Sequence, residues 1–290
     1  MILERLNPLN DYLFLKMLGE PGNEEQLLSL LKAILKRTGR DGIESVVITE
    51  STKLTADIIG DKSSVLDILA VMDDGAHVNI EVQLKRVEAV DKRLLFYWSR
   101  DYARAISAGQ GYDKLPDMIT IVISEFDIVD LPDFHTSFHL REDNNREYIL
   151  TSAMEVHVVN MKKFRALKEV DVHSNPLHRW LAFLNMETPI ETVEEVIRMD
   201  GAIQKASERM EFVSQDKEAL RLYRMREMAM SDWTSGVSLA RKEGRAEGRA
   251  EGRMEMARSA LIEGADINFV SKFTGLDLET VKRMREELRQ

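Results

Sequence analysis

Asp67, Glu81 and Gln83 carry the side chains most able to do chemistry together, because the sequence between them reads as a hairpin. Two β-rich runs, Val65 to Met72 and His77 to Leu84, flank the turn residues Asp73, Asp74 and Gly75. A three-residue loop there pairs Met72 with Ala76, and the register then sets Asp67 directly opposite Glu81. Opposed residues on antiparallel strands have Cβ atoms roughly 4.5 to 5.5 Å apart, where like charges destabilise the sheet unless a cation lies between them. Carboxylates without cysteine or histidine beside them are hard oxygen ligands, which favour Mg²⁺ or Mn²⁺ over zinc. The two-residue period places Gln83 on the face of Glu81 and turns Ile80, Val82 and Leu84 to the other face, under a covering helix. The main-chain carbonyl of Val82 can still reach the same ion. A strand acid also serves as a gatekeeper against edge-to-edge aggregation, and that plainer reading of Asp67 stands beside the metal site.

The elements that must hold this hairpin are legible on both sides of it. Asn23 precedes two glutamates, and Leu27, Leu28, Leu30, Leu31, Ile34 and Leu35 recur at helical spacing up to Gly39, which predicts a core helix. Ile43 to Thr49 is β-rich, and residues 90–108 are helical. Met118 to Ser124, a nearly continuous apolar run after Pro116, predicts a central strand covered on both faces. Phe134 to Arg141 and Tyr148 to Asn160 read as further strands, so His135 and His139 do not form the i,i+4 pair of a helical zinc site. Strands interleaved with helices make an α/β fold, a mixed sheet with helices on its faces.

The chain turns helical after Pro176. Glu243, Glu247 and Glu251 each open a Glu-Gly-Arg triplet at a period of four, one helical turn plus about 40°. The glycines each cost up to ~1 kcal/mol relative to alanine, so this stretch reads as a marginal linker helix or spacer. Beyond it, Met254 to Glu263, Ile267 to Phe273 and Leu278 to Leu288 read as short helices. Gly264 and Gly275 act as stops and Asp277 as a cap, an arrangement like a helix-turn-helix or a helical hairpin for self-association.

At 290 residues with 44% hydrophobic side chains the chain can fill a sizeable core. With no cysteine it has neither disulfides nor thiol chemistry. The sequence shows no long apolar run and no charged-then-apolar leader, which points to the cytoplasm and away from a membrane. The net charge of −10 opposes a polyanionic partner overall, but the balance changes locally. Lys85, Arg86, Lys92, Arg93, Arg100 and Arg104 outnumber Glu88, Asp91 and Asp101 just after the hairpin, and Phe96, Tyr97, Trp98 and Tyr102 lie among them. Such a segment can track a phosphate backbone beside the site, although a solvated helix with core aromatics explains the same residues when they are taken alone.

An Asp, a tight turn and then Glu-x-Gln resembles the PD-(D/E)xK nuclease fold. With the stretch from Leu9 to Gly19, Lys62 to Asp67, Gly109 to Tyr112, the Glu-Gly-Arg triplets and the close from Thr274 to Val281, the chain resembles the Rpn family of recombination-promoting nucleases, also described as transposases. The resemblance covers nearly the whole chain. It implies a restriction-endonuclease-like mixed sheet flanked by helices, over residues 1–175. An extended helical region (176–240), the repeat (241–258) and a small helical tail (259–290) follow. It implies a metal-dependent DNA endonuclease, linked to recombination, mobile elements or defence, that hydrolyses phosphodiester bonds with Mg²⁺ or Mn²⁺. Asp67 and Glu81, with the Val82 carbonyl, would hold the ion, Gln83 would orient the water, and Lys85, Arg86, Lys92, Arg93 and Arg100 would meet DNA. Gln83 has no proton to exchange near neutral pH and cannot replace the lysine found in many relatives. An outer acidic ligand is sought at Glu25 or Asp11. The rival expectation is a catalytically idle scaffold that binds DNA or a protein through its helical tail, and the tail is also the expected route to a homo-oligomer.

Overall fold

The computed structural model describes residues 5–50, 67–86 and 88–288, so Lys62 to Leu66 of the family-like motif lie outside the described residues. Two compact units divide the chain, Met1–Ala229 and Met230–Gln290.

The first unit is built on a six-stranded sheet of β1 (Val46–Glu50), β2 (Ile68–Met72), β3 (His77–Gln83), β4 (Met118–Ser124), β5 (His135–His139) and β6 (Met154–Asn160). Its order is β1-β2-β3-β4-β6-β5. The β1–β2, β2–β3 and β5–β6 pairs are antiparallel, while β3–β4 and β4–β6 are parallel, so the sheet is mixed as expected. Every residue of β4 is buried, as its unbroken apolar run requires.

Period two divides the sheet into faces. Ile68, Ala70 and Met72 of β2, Val78, Ile80 and Val82 of β3, and Ile119, Ile121 and Ile123 of β4 enter the main core. That core is completed by α1 (Asp11–Leu18), α2 (Glu24–Leu35), α5 (Pro176–Leu184), α6 (Ile190–Met199) and α7 (Gly201–Gln215), so α5, α6 and α7 share one core with the sheet. Trp180 of α5 is fully buried and donates through Nε1 to Ser29 Oγ of α2 at 3.0 Å. Each such side chain contributes roughly 1.5–3 kcal/mol through burial. Asn175 caps α5 by accepting from the Leu177 amide, with Pro176 at the position where a missing N–H costs nothing. Asn23 stands before α2 as expected but makes no cap bond; its side chain donates to the Lys16 carbonyl and accepts from Gln26.

The opposite face carries Asn79, Glu81, Gln83, Thr120, Val122 and Ser124, all buried. There α3 (Val90–Arg104) packs, with Leu94 as its buried apolar residue and Trp98 Nε1 3.4 Å from the Met118 carbonyl oxygen. A short helix, α4 (Met161–Arg165), follows β6 directly.

A 46-residue helix, α8 (Lys217–Ile262), runs unbroken through the Glu-Gly-Arg repeat, so the glycines do not interrupt it. The second unit also contains α9 (Ile267–Thr274) and α10 (Leu278–Glu287), joined through Gly275 at φ +69°. Ala257, Leu261, Val270, Val281 and Met284 form its separate small core. Asp277 caps α10 by accepting from the Thr280 amide, as the sequence predicts.

Candidate active site

The hairpin has the register the turn residues predict. Met72 N–H donates to the Ala76 carbonyl at 2.9 Å, and Gly75 N–H donates to the Met72 carbonyl at 2.9 Å. Gly75 takes φ +85°, the left-handed position that ends a three-residue loop, and Asp74 Oδ1 accepts from the Ala76 amide at 2.9 Å. Asp73 ties the loop back to the segment before β1 by accepting from the Glu44 amide at 2.9 Å. Ile68 pairs with Ile80 and Leu69 with Asn79; Asp67 stands directly before β2, within electrostatic reach of Glu81.

Glu81 is buried and Asp67 half-buried. Glu81 is 3% exposed and Gln83 9%. Gln83 Nε2 and Arg93 Nη2, the latter at 3.2 Å, both donate to Oε1 of Glu81. Asp67 Oδ1 is buried and accepts no hydrogen bond at all. Burial pushes the Asp67 carboxyl up to about 8, with the negative charges of Glu81 and Asp101 adding to the rise and Arg93 and Arg100 opposing it. Burial also raises the Glu81 carboxyl, against the pull of Arg93. Two acids that resist ionisation side by side are short of one positive charge, and an orphaned buried oxygen is short of one partner.

Helix α3 supplies what cationic charge there is. Arg93, Tyr97 and Arg100 follow at i, i+4 and i+7, one face of a helix. Arg93 lies over the Tyr97 ring at 5.4 Å and Arg100 over the same ring at 4.8 Å. Arg100 Nε also donates to Asp101 Oδ1 at 3.1 Å. Of the five cations expected at DNA, the structure brings Arg93 and Arg100 to the carboxylates. Lys85 is half-buried beyond the end of β3, and Lys92 is exposed on α3. Arg86 lines a separate cavity of about 630 Å³ with Asp127, Asp130 and Lys163.

The N-terminal acids considered as outer ligands are engaged elsewhere. Asp11 accepts from Arg226 Nε at 2.9 and 3.0 Å, and Glu25 pairs with Lys205. Asp101, which sequence reasoning counted only as a charge, is the further acid within electrostatic reach of Asp67. Its signal was its place on α3, one residue past Arg100. Among the described residues no group of three or more His, Asp or Glu side chains is placed to share one ion. The fit to a divalent cation therefore rests on two carboxylates, the orphaned Asp67 Oδ1 above all, with amide and main-chain oxygens and water to complete the shell.

A comparison with known families decides the lineage: the model of the PD-(D/E)XK nuclease family transposase matches residues 8–240. The chain belongs to that family. As a PD-(D/E)XK family member it is nuclease-like, and nucleases of this kind typically use divalent metal ions. No curated protein and no solved structure matches it. The mixed sheet with flanking helices is the fold the family leads one to expect. Among the described residues no helix is long and apolar enough to cross a membrane.

Proposed function

We propose that the chain is a divalent-metal-dependent DNA endonuclease that hydrolyses phosphodiester bonds at the Asp67–Glu81 hairpin. One observation carries the reading: a buried Asp67 oxygen without a partner, within electrostatic reach of the buried Glu81 carboxylate, with both acids pushed above their ordinary pKa. Asp67 and Glu81 would hold the ion, with the Val82 carbonyl as the main-chain ligand. A bound Mg²⁺ or Mn²⁺ supplies Lewis acidity, lowering the pKa of a water and offsetting charge on the phosphoryl oxygens. Gln83 orients that water through its amide and transfers no proton. Arg93 and Arg100 meet the phosphate backbone, with Lys85, Arg86 and Lys92 extending the basic track. The family description, a transposase, supports a role in mobile-element movement, and recombination or defence are the related processes we propose. We place the protein in the cytoplasm, and its helical C-terminal region is the proposed route to a homo-oligomer.

The test is cleavage of supercoiled plasmid by the full chain with Mg²⁺, Mn²⁺, Ca²⁺ or EDTA, beside Asp67→Ala and Glu81→Ala. Cleavage that requires Mg²⁺ or Mn²⁺ and falls by at least about a thousandfold in both variants is expected. Equal cleavage by wild type and variants would remove the hairpin from the chemistry. The neutral Gln83 and the Arg93 contact on Glu81 favour a second reading, a nuclease-fold scaffold that binds DNA or a protein without cutting. Metal-independent DNA binding with no cleavage under any condition would support it.

A further inference from the structure

Arg93 is held at two points. Its Nη2 donates to Glu81 Oε1 at 3.2 Å, and its guanidinium lies 5.4 Å from the centre of the Tyr97 ring. The first contact is to the carboxylate that a divalent ion would take; the second survives if that carboxylate is taken. A guanidinium and a divalent cation cannot both sit against one buried carboxylate without strong repulsion, since little water separates them there. The ring face still attracts a cation once the ion pair is broken. Gln83, the other donor to Glu81, carries no charge, so β3 brings no cation of its own to this carboxylate. Arg100 already rests on the same ring, 4.8 Å from its centre.

On the reading of this site as a metal-dependent nuclease, we infer that Arg93 is a displaceable counter-ion that converts into a substrate-phosphate ligand. In the metal-free protein it neutralises Glu81. When the ion takes Glu81, the guanidinium pivots on the Tyr97 ring and presents its N–H groups, beside Arg100, to a phosphate of the nucleic acid. A planar guanidinium suits that task because it binds phosphate oxygens in pairs. The site would thereby couple metal to DNA: an ion frees a cation for the backbone, and a bound phosphate keeps that cation from returning to Glu81. It would also recover from α3 the positive charge that Gln83 cannot supply from β3.

The experiment uses the full chain and two readouts apart from cleavage. Calorimetric titration with Mn²⁺ at constant ionic strength compares wild type, Arg93→Gln, Arg93→Lys and Asp67→Ala. DNA binding is then measured against salt concentration, with Ca²⁺ and with EDTA. Removing the competing charge should tighten Mn²⁺ binding at least about tenfold in Arg93→Gln, while Arg93→Lys stays near wild type. With Ca²⁺ present, the wild-type salt slope should be steeper than that of Arg93→Gln by about one phosphate contact, and with EDTA the two slopes should agree. Tyr97→Leu leaves both carboxylates and the arginine in place, so it keeps the test alive if Arg93→Gln does not fold. Its Mn²⁺ affinity should match wild type while its Ca²⁺-dependent slope falls. Equal Mn²⁺ affinity in wild type and Arg93→Gln, or a slope difference that persists in EDTA, would overturn the counter-ion role and leave the nuclease reading standing. Failure of wild type to bind Mn²⁺, or binding by Asp67→Ala as tight as wild type, would overturn the metal site itself and the inference with it.

Discussion

On the face of the sheet under α3, Glu81 accepts from one guanidinium and one amide, and an Asp67 oxygen has no partner. On the opposite face Glu155 of β6 is equally buried, at 1% exposure, yet it accepts from His157 Nε2 at 2.7 Å and Thr38 Oγ1 at 2.6 Å and pairs with Arg40 Nε at 3.2 Å. His157 Nδ1 in turn lies 2.9 Å from His135 Nε2. His157 thus bridges Glu155 and His135 through its two ring nitrogens. Burial works against ionisation of Glu155, but the hydrogen bonds from His157 and Thr38, with the charge of Arg40, hold its carboxyl down at about 2. Asp67 goes the other way, to about 8. The two carboxylates thus differ in whether the protein supplies their partners. A satisfied acid fixes structure; a pair left short of charge is poised for something that arrives from outside.

The contrast has a sign, and substitution tests it. Glu155→Gln removes the charged acceptor that organises His157 and Thr38, while Arg40 keeps Asp117 and Asp74 as counter-charges. Unfolding by urea should show a loss of roughly 1–3 kcal/mol. Asp67→Asn removes a charge the metal-free fold does not neutralise, and at pH 8 it should gain about 1–2 kcal/mol in EDTA while losing its response to Mn²⁺. A loss of stability in both variants would erase the distinction between the two faces.

Titration sharpens the same contrast. Asp67 has a native pKa above its unfolded value, so the folded state holds the proton more tightly, and stability in EDTA should fall as pH rises from about 4 towards 8. Glu155 has a native pKa below its unfolded value, so its contribution is present above about 4.5 and lost as pH falls towards 2. Melting temperatures across pH 3 to 9 should therefore flatten on the alkaline side in Asp67→Asn and on the acid side in Glu155→Gln. A wild-type profile without the alkaline decline would show that Asp67 ionises freely.

Much of the first face was legible from residues alone and almost none of the second. The turn residues and strand alternation set the register, and the register brings Asp67 within reach of Glu81, because a hairpin is a local object. Arg93 was recognisable as a helix cation, but its seat on Glu81 depends on how α3 lies over the sheet, which no local pattern encodes. Asp11 and Glu25 looked available as outer ligands until Arg226 and Lys205, some two hundred residues away in the chain, engaged them. Glu155 and His157 alternate along β6 like a solvated strand face, and only Thr38 and Arg40 from the loop after α2 make them interior. Local periodicity reports which side chains share a face; it does not report what covers that face.

The smallest expected effect concerns how α3 is seated. Among the described residues Ala89 is the only non-glycine with positive φ, at +50°, and it stands directly before the helix that carries Arg93. A left-handed alanine costs roughly 1–2 kcal/mol, whereas glycine adopts that conformation without steric cost. Glycine also enlarges the unfolded ensemble, which returns about 0.4–1 kcal/mol of the gain. Ala89→Gly should therefore stabilise the protein by up to about 1 kcal/mol, read as a small rise in urea midpoint. Because the substitution leaves Arg93, Tyr97 and both carboxylates in place, Mn²⁺ affinity should not move if α3 is positioned by Leu94 and Trp98 packing on the sheet. A parallel change in Mn²⁺ affinity would mean that the strained entry to α3, and not its packing, sets the height of Arg93 over Glu81, tying the unsatisfied face to backbone strain that the Glu155 face does not share.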